Sequence, residues 1–329
     1  MAIIDALARV LPILLLFGLG AVLRRRAFLS EATVADLRRF VLAVTLPSAL
    51  FLTFLRVSLE LRYLPIVLIV FAACVVMLVV GPGLGRLAGV RSPFAGPLMT
   101  GFEAGMLGYA IYGGVFGADA LYRFGIVDLG QVLFVFFVLA TVLTRRATGI
   151  APGLLATASV FVRTPVILAI LAGVAGSAVG LGSALESSPL SASVLRTFEL
   201  LGACTTPLIA VVIGYSTRLR PGALGRPART VAVRLAVWVP LGIAFDLIIV
   251  EGVLGLDRLF GAAVMTMAIL PPPFVIPLYM GSREEDSGGR GDLAGIDDAA
   301  DRDYVADTLS LATVVTLVAF SLVAAVFAS

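Results

Sequence analysis

The chain has 329 residues, of which 60% are apolar and 14% charged, with a formal net charge of +3 and a mean hydropathy of +1.08. Soluble domains carry about a quarter charged residues, so this composition excludes a water-soluble fold, and no polar stretch is long enough to surround a second core. All 24 basic residues are Arg, with no Lys, His or Asn; they fall in short loops between apolar runs, which reads as membrane topology and not as a nucleic-acid surface.

A membrane helix needs about 20 apolar residues to cross roughly 30 Å of hydrocarbon. Such runs predict ten spans, at 6–23, 36–55, 63–85, 93–117, 124–144, 160–180, 193–217, 229–250, 257–280 and 304–327. The first has 14 apolar residues, Val10 to Leu23, followed by Arg24, Arg25 and Arg26. A cleaved signal carries its basic cluster before the apolar run, so this segment is expected to stay as a helix. Pro47 lies within the second span. Cys74 and Cys204, the only two cysteines, fall in the third and seventh spans and read as packing residues.

The fourth span holds seven Gly between Pro93 and Gly117, with Gly101, Gly105 and Gly108 spaced for one helical face. Such a stripe commonly serves close helix packing. Glu103 in the same span changes the reading, because a carboxylate at bilayer depth is costly and needs a cavity or a partner. The fifth span opens with Asp128 and Gln131, three apart on one face. Pro207 lies in the seventh span, where Glu199 stands three residues after Arg196 at ion-pair spacing. Asp246 lies in the eighth and is a candidate second proton site.

In the ninth span Pro271, Pro272 and Pro273 remove three successive donors and Pro277 a fourth, so an unbroken helix cannot pass. The carbonyls of Met267, Ala268 and Ile269 lose their helical partners, while Phe274, Val275 and Ile276 become free donors of a new half-helix, attractive to anions. Asp307 and Ser310 in the tenth span repeat the spacing of Asp128 and Gln131. The acidic, Gly-rich loop 283–303 reads as a solvated tether.

Splitting the ten spans five and five aligns Pro12 with Pro165, Pro47 with Pro207 and Asp128 with Asp307, at offsets of 153, 160 and 179. Both fourth spans are then the broken ones. Five is odd, so the second half enters from the other side, and the expected fold is an all-α integral membrane protein of two inverted five-helix repeats, residues 1–147 and 155–329. Eighteen Arg fall to the side of the loops after the odd-numbered spans, and six (Arg9, Arg56, Arg62, Arg123, Arg196 and Arg258) to the other. The Arg-rich side marks the cytoplasm and puts both termini outside. The Arg, Ala, Gly, Val and Leu bias points to a bacterial cytoplasmic membrane.

Leu11-Pro12 before Gly18, Gly20 and Arg24-Arg25-Arg26 forms one of several runs that resemble the auxin efflux carrier family. The others are Leu46-Pro47-Ser48-Ala49-Leu50-Phe51, Gly105-Met106-Leu107-Gly108, Phe116-Gly117, Asp128-Leu129-Gly130-Gln131 and Ile213-Gly214 after Pro207. Through the ten-span architecture the chain also resembles the wider bile acid/sodium symporter superfamily. The resemblance implies a scaffold from spans 1, 2, 6 and 7, a moving unit from spans 3–5 and 8–10, a small organic anion as substrate, an elevator-type motion without ATP, and a homodimer through the scaffold. Glu103 stands where many members carry Asn, Ala110 where they carry the Pro of the first break, and Gln131 where they carry another Asn.

The expected substrate site is therefore Glu103, Gly105, Gly108, Pro271, Pro272, Pro273 and Phe274, with Pro47 and Pro207 beside it. Glu103, Asp128, Gln131, Asp307 and Asp246 are the ion-coupling candidates. No cofactor is expected, only H+ or Na+ as coupling ion and lipid as surroundings. The expected mechanism has Glu103 take up a proton as the anion binds, so that two unpaired negative charges never share a low-dielectric cavity. The rival readings are a sodium-coupled importer, a carrier of cationic or neutral compounds, and a channel or sensor. No His, no HExxH and no Ser/His or Cys/His pair argue against an enzyme.

Overall fold

The structure, a computed structural model, describes residues 2–57, 60–280 and 298–327; most of the expected tether, up to residue 297, lies outside them. All regular structure among these residues is helical. The helices are α1 (Ala2–Arg25), α2 (Glu31–Leu55), α3 (Leu61–Leu87), α4 (Ala95–Met99), α5 (104–116), α6 (Ala118–Thr148), α7 (Leu154–Arg163), α8 (Pro165–Ala178), α9 (Leu181–Glu186), α10 (Pro189–Ser216), α11 (Gly225–Val253), α12 (Arg258–Ile269) and α13 (Asp298–Phe327).

Six of them, α2, α3, α6, α10, α11 and α13, are long and apolar enough to cross a membrane, and α7 with α8 makes a seventh if that pair, bent by 70°, is one span. The chain is thus an all-α, multi-pass membrane protein. The interruptions expected in the fourth and ninth runs are present, and a third falls in the sixth, each for a local reason. The fourth and ninth runs are split into pieces too short to cross alone. In the sixth, Pro165 forces Thr164 into an extended conformation and turns the axis. α1 is itself an unbroken helix of 24 residues.

Proline also shapes helices it does not break. Pro47 offers no N–H to the carbonyl four residues before it, and the turn ahead, Val41–Thr45, relaxes to π geometry inside α2. The start of α2 is capped by Ser30, whose side chain accepts from the Thr33 N–H at 3.0 Å.

Two helix crossings are built alike. In α1, Gly20 lies against α10, where an added Cβ would strike the Val211 carbonyl oxygen and the Tyr215 nitrogen. In α8, Gly173 lies against α2, where a Cβ would meet the Phe51 oxygen at 2.7 Å and the Leu55 nitrogen at 3.2 Å. The two Gly are 153 residues apart and both partner pairs are 160 apart, the offsets read from Pro12/Pro165 and Pro47/Pro207. Gly214 of α10 makes the reverse approach onto Phe17 of α1. Backbones meet at these crossings because nothing larger than hydrogen stands between them.

The remaining helices pack through the same device. Gly130 brings α6 onto Val67 and Phe71 of α3, and a Cβ on Gly242 of α11 would meet Ala268 of α12 at 2.9 Å. Leu15, Val79, Leu155 and Leu322 are largely exposed, the apolar belt expected of a lipid-facing surface, while Tyr109, Tyr112, Phe124 and Phe260 fill the interior.

The crossing of the two broken segments

Between α4 and α5 the chain leaves helical geometry at Thr100–Glu103, and after α12 it runs extended through Leu270–Pro273. The two breaks meet. The Glu103 N–H donates to the Pro271 carbonyl at 2.9 Å, and the Phe274 N–H donates to Glu103 Oε2 at 2.7 Å. Glu103 Oε1 caps α5 by accepting from the Met106 N–H at 3.2 Å. One carboxylate therefore holds an amide from each broken segment, and on the α5 side it sits at a helix N-terminus, where the dipole favours negative charge.

Gly101 turns the first break. Its φ of +63° is costly for any side-chain-bearing residue, and a Cβ there would stand 2.7 Å from Pro273 Cγ. This corrects the expected stripe: Gly101 is outside the helix, Gly105 has nothing within 4 Å of its Cβ position, and only Gly108 packs closely, under Phe124 and Leu270.

Helix interruption frees carbonyls that lipid cannot satisfy, and side chains from other helices find them. Arg234 of α11 donates to Leu98 O at 3.2 Å, to Leu270 O at 3.2 Å and to Gly101 O. Trp238 Nε1, one turn further along α11, donates to Met99 O at 2.8 Å. Gln131 Nε2 takes Phe102 O at 2.9 Å, and Thr316 Oγ1 takes Ile269 O. Of the carbonyls expected to be freed, that of Met267 is instead recovered locally by the Leu270 N–H at 3.0 Å. The positive guanidinium of Arg234 thus sits at the C-terminal ends of α4 and α12, opposite in sign to Glu103 at the N-terminal ends.

Sequence reading missed this residue. Arg234 was counted with the topology-setting arginines of the Arg-rich side, yet it is 1% exposed. The signal available was its place five residues inside the predicted eighth span, where an Arg needs a partner as much as an Asp does.

Asp128 is buried beside the crossing, its Oδ2 accepting from Tyr109 Oη at 3.0 Å and its Oδ1 from Gln131 Nε2 at 3.1 Å. Gln131 Oε1 is buried without a donor. Phe274 is followed by a single 3-10 turn, Ile276–Tyr279, where a longer half-helix was expected. Pro47 and Pro207 stay outside the crossing; Pro207 follows Thr206, whose Oγ1 donates to Ala110 O of α5 at 3.3 Å.

Two other candidates lie elsewhere. Asp307 pairs with Arg220 at 2.9 Å, and Arg220 also reaches Asp303 at 2.7 Å; hydrogen bonds to these two carboxylates push the guanidinium further above its ordinary pKa. Ser310 accepts from the Arg218 N–H at 3.1 Å. Asp246 packs over Gly261 with Oδ1 unpartnered. Neither Asp307 nor Asp246 bonds to a residue of the breaks. The expected Arg196–Glu199 pair forms at 2.9 Å, and Arg56 joins it at 2.8 Å.

Two cavities lie toward opposite ends of α2, beside α10; a third, of about 290 Å³, is lined by Phe102, Trp238, Phe245, Met267 and Ala268. One of the first two, of about 270 Å³, is lined by Thr53, Arg56, Tyr109, Asp119, Glu199 and Thr206. The other, of about 250 Å³, is lined by Arg38, Ile213, Ser216, Phe274, Ser310 and Thr313. Arg38 and Arg56 are 18 residues apart on one helix, about 27 Å along its axis. Thr53 and Arg56 in the first cavity correspond, 160 residues on, to Ile213 and Ser216 in the second. The first carries two carboxylates and one guanidinium, the second one guanidinium alone.

No protein-family model matches the chain and no curated protein matches it. Sequence and geometry together give an all-α, multi-pass membrane protein whose two interrupted segments bond to each other.

Proposed function

We propose that the chain is a secondary transporter of the auxin efflux carrier type, in the bacterial cytoplasmic membrane with both termini outside, moving a small organic anion outward by a proton-linked elevator motion. The carrying observation is the bonded crossing of two broken segments, bordered at Phe274 by the cavity that holds Arg38. Paired interruptions at bilayer depth are where a carrier of this architecture holds its solute. The matched Gly20/α10 and Gly173/α2 crossings support two inverted repeats, with the ten runs as ten passes, and a scaffold of α1, α2, α8 and α10. Arg38, which makes no ion pair among the described residues, gives the cavity on the Arg-rich side the sign that draws an anion.

In this mechanism a proton on Glu103 weakens its hold on the Phe274 and Met106 amides as the solute carboxylate arrives. Glu103→Gln is expected to abolish the pH dependence of uptake in proteoliposomes while carboxylate exchange persists; an unchanged pH profile removes Glu103 from coupling. One observation favours a second reading: an ionised Glu103 already fills the amides an anion would use, which suits a cationic or neutral solute. Competition by amines without competition by carboxylates selects that reading. A sodium requirement at constant pH selects the sodium-coupled importer.

A further inference from the structure

The cavity of about 290 Å³ lies between α3 and α11, walled by Ile69 and Ala73 of the first, Leu241 and Phe245 of the second, and the buried rings of Phe102 and Trp238. Ile69, Leu241 and Ile248 on its rim are 37%, 47% and 60% exposed, so it opens on the outer surface, which for a membrane helix is lipid. No lining side chain is charged, and the indole nitrogen of Trp238 is spent on Met99 O at 2.8 Å. Such a wall gives water no partner, while a void costs its lining the dispersion contacts that a guest supplies. Hydrocarbon is the occupant that fits. A separate observation says which lipid. Residues four apart form one inclined row on a helix, and Arg229, Val233, Val237, Leu241 and Phe245 lead from the Arg-rich end of α11 into the cavity. Arg229 and Leu241 are 12 residues apart, about 18 Å along the axis, comparable to half of a hydrocarbon core roughly 30 Å thick. The Arg229 side chain is exposed, with Nη1 over the turn that ends α3, 3.1 Å from where a Cβ on Gly89 would stand. Arg226, three residues earlier, is engaged by the Arg91 carbonyl at 3.3 Å and by Asp301 at 3.8 Å, whereas Arg229 makes no ion pair among the described residues. A guanidinium at headgroup level above a hydrocarbon slot matches a phospholipid phosphate above its tail.

We propose that the groove between α3 and α11 is a specific site for an anionic phospholipid of the leaflet on the Arg-rich side, with its phosphate on Arg229 and one acyl chain in the cavity against Trp238. The tail also packs on Phe102, whose ring meets that of Trp238 edge-on at 4.6 Å and whose chain neighbours are Gly101 and Glu103 of the first break. The lipid therefore braces the crossing from its membrane side. A membrane-spanning chain is all that this site requires, so it stands or falls apart from the carrier reading.

Trp238 is the only Trp in the chain, so its fluorescence reports this cavity. The test reconstitutes the full chain in vesicles of dioleoyl phosphatidylcholine with increasing shares of a phospholipid brominated midway along its acyl chains, because bromine quenches an indole that it touches. Brominated phosphatidylglycerol is expected to compete for Trp238 about fivefold better than brominated phosphatidylcholine, the effect of one basic residue at an anionic membrane surface. Arg229→Gln should bring the two lipids level and Arg229→Lys should restore much of the preference. Both changes fall on an exposed side chain with no hydrogen bond or ion pair among the described residues, and an unchanged melting temperature verifies the fold. Ala244→Phe, in the cavity wall, should lower quenching by both lipids. Equal quenching by the two lipids in the wild type means an unspecific hydrocarbon contact and overturns the proposal, as does a preference that survives Arg229→Gln. Quenching by neither lipid means a cavity closed to tails and overturns it as well.

Discussion

Replacing Arg234 by Met is expected to be the most damaging single change in the chain, lowering stability by about 3–5 kcal/mol, the range seen when one partner of a buried charged network is removed. Met matches much of the volume but donates no hydrogen bond, so the Leu98, Gly101 and Leu270 carbonyls lose their donor together. Each stranded carbonyl costs about 1–3 kcal/mol in a dry interior, and both breaks lose the group that fixes them. Lys should recover only part of the loss, because a single ammonium lacks the planar fork that reaches carbonyls on two segments. Thermal unfolding in detergent measures the cost. A Met variant within about 1 kcal/mol of wild type would mean that water replaces the guanidinium, and that the charge balance with Glu103 has no structural role.

The second large effect is expected at the matched crossings. Gly20→Ala and Gly173→Ala each place a methyl against backbone, on the Val211 and Phe51 carbonyl oxygens, which no rotamer change can relieve. Overpacking of this kind costs about 1–3 kcal/mol, and Val at either position should separate the helices outright. The matched offsets make the expectation sharper, since the two Ala variants should lose similar melting temperature. Gly18→Ala, with nothing within 4 Å of its Cβ position, serves as the neutral control in the same helix. If Gly20→Ala melts like Gly18→Ala, the backbones are not in contact at that crossing.

These two expectations differ in how far the sequence foretold them. The membrane class follows from composition, and both interruptions were legible because Pro271 to Pro273 and the Gly around Glu103 break the backbone by local chemistry. Glu103 was legible too, since an acid inside an apolar run has few uses. Arg234 was passed over because an Arg five residues inside a predicted span was grouped with the topology signals, and its carbonyl partners lie 36 residues on, at Leu270, and 133 to 136 residues back, at Gly101 and Leu98. Asp307 shows a different limit of spacing. Its spacing with Ser310 copies that of Asp128 with Gln131, yet Asp307 is satisfied by Arg220 at the Arg-rich end and Asp128 by Tyr109 beside the crossing. Spacing fixes which residues share a helix face; it does not fix what stands opposite.

The reciprocal seating of α1 on α10 and of α8 on α2 also bears on how the polypeptide is born. When the ribosome has delivered the first 148 residues, Gly20 and Phe51 both present bare backbone to lipid, and the surfaces that will cover them have not yet been translated. The early half must therefore wait in the bilayer, incomplete on two sides, and maturation is a clasp closed from both ends by the later half. Severed after Thr148, the pieces should be captured by membrane proteases when made singly and persist when made together.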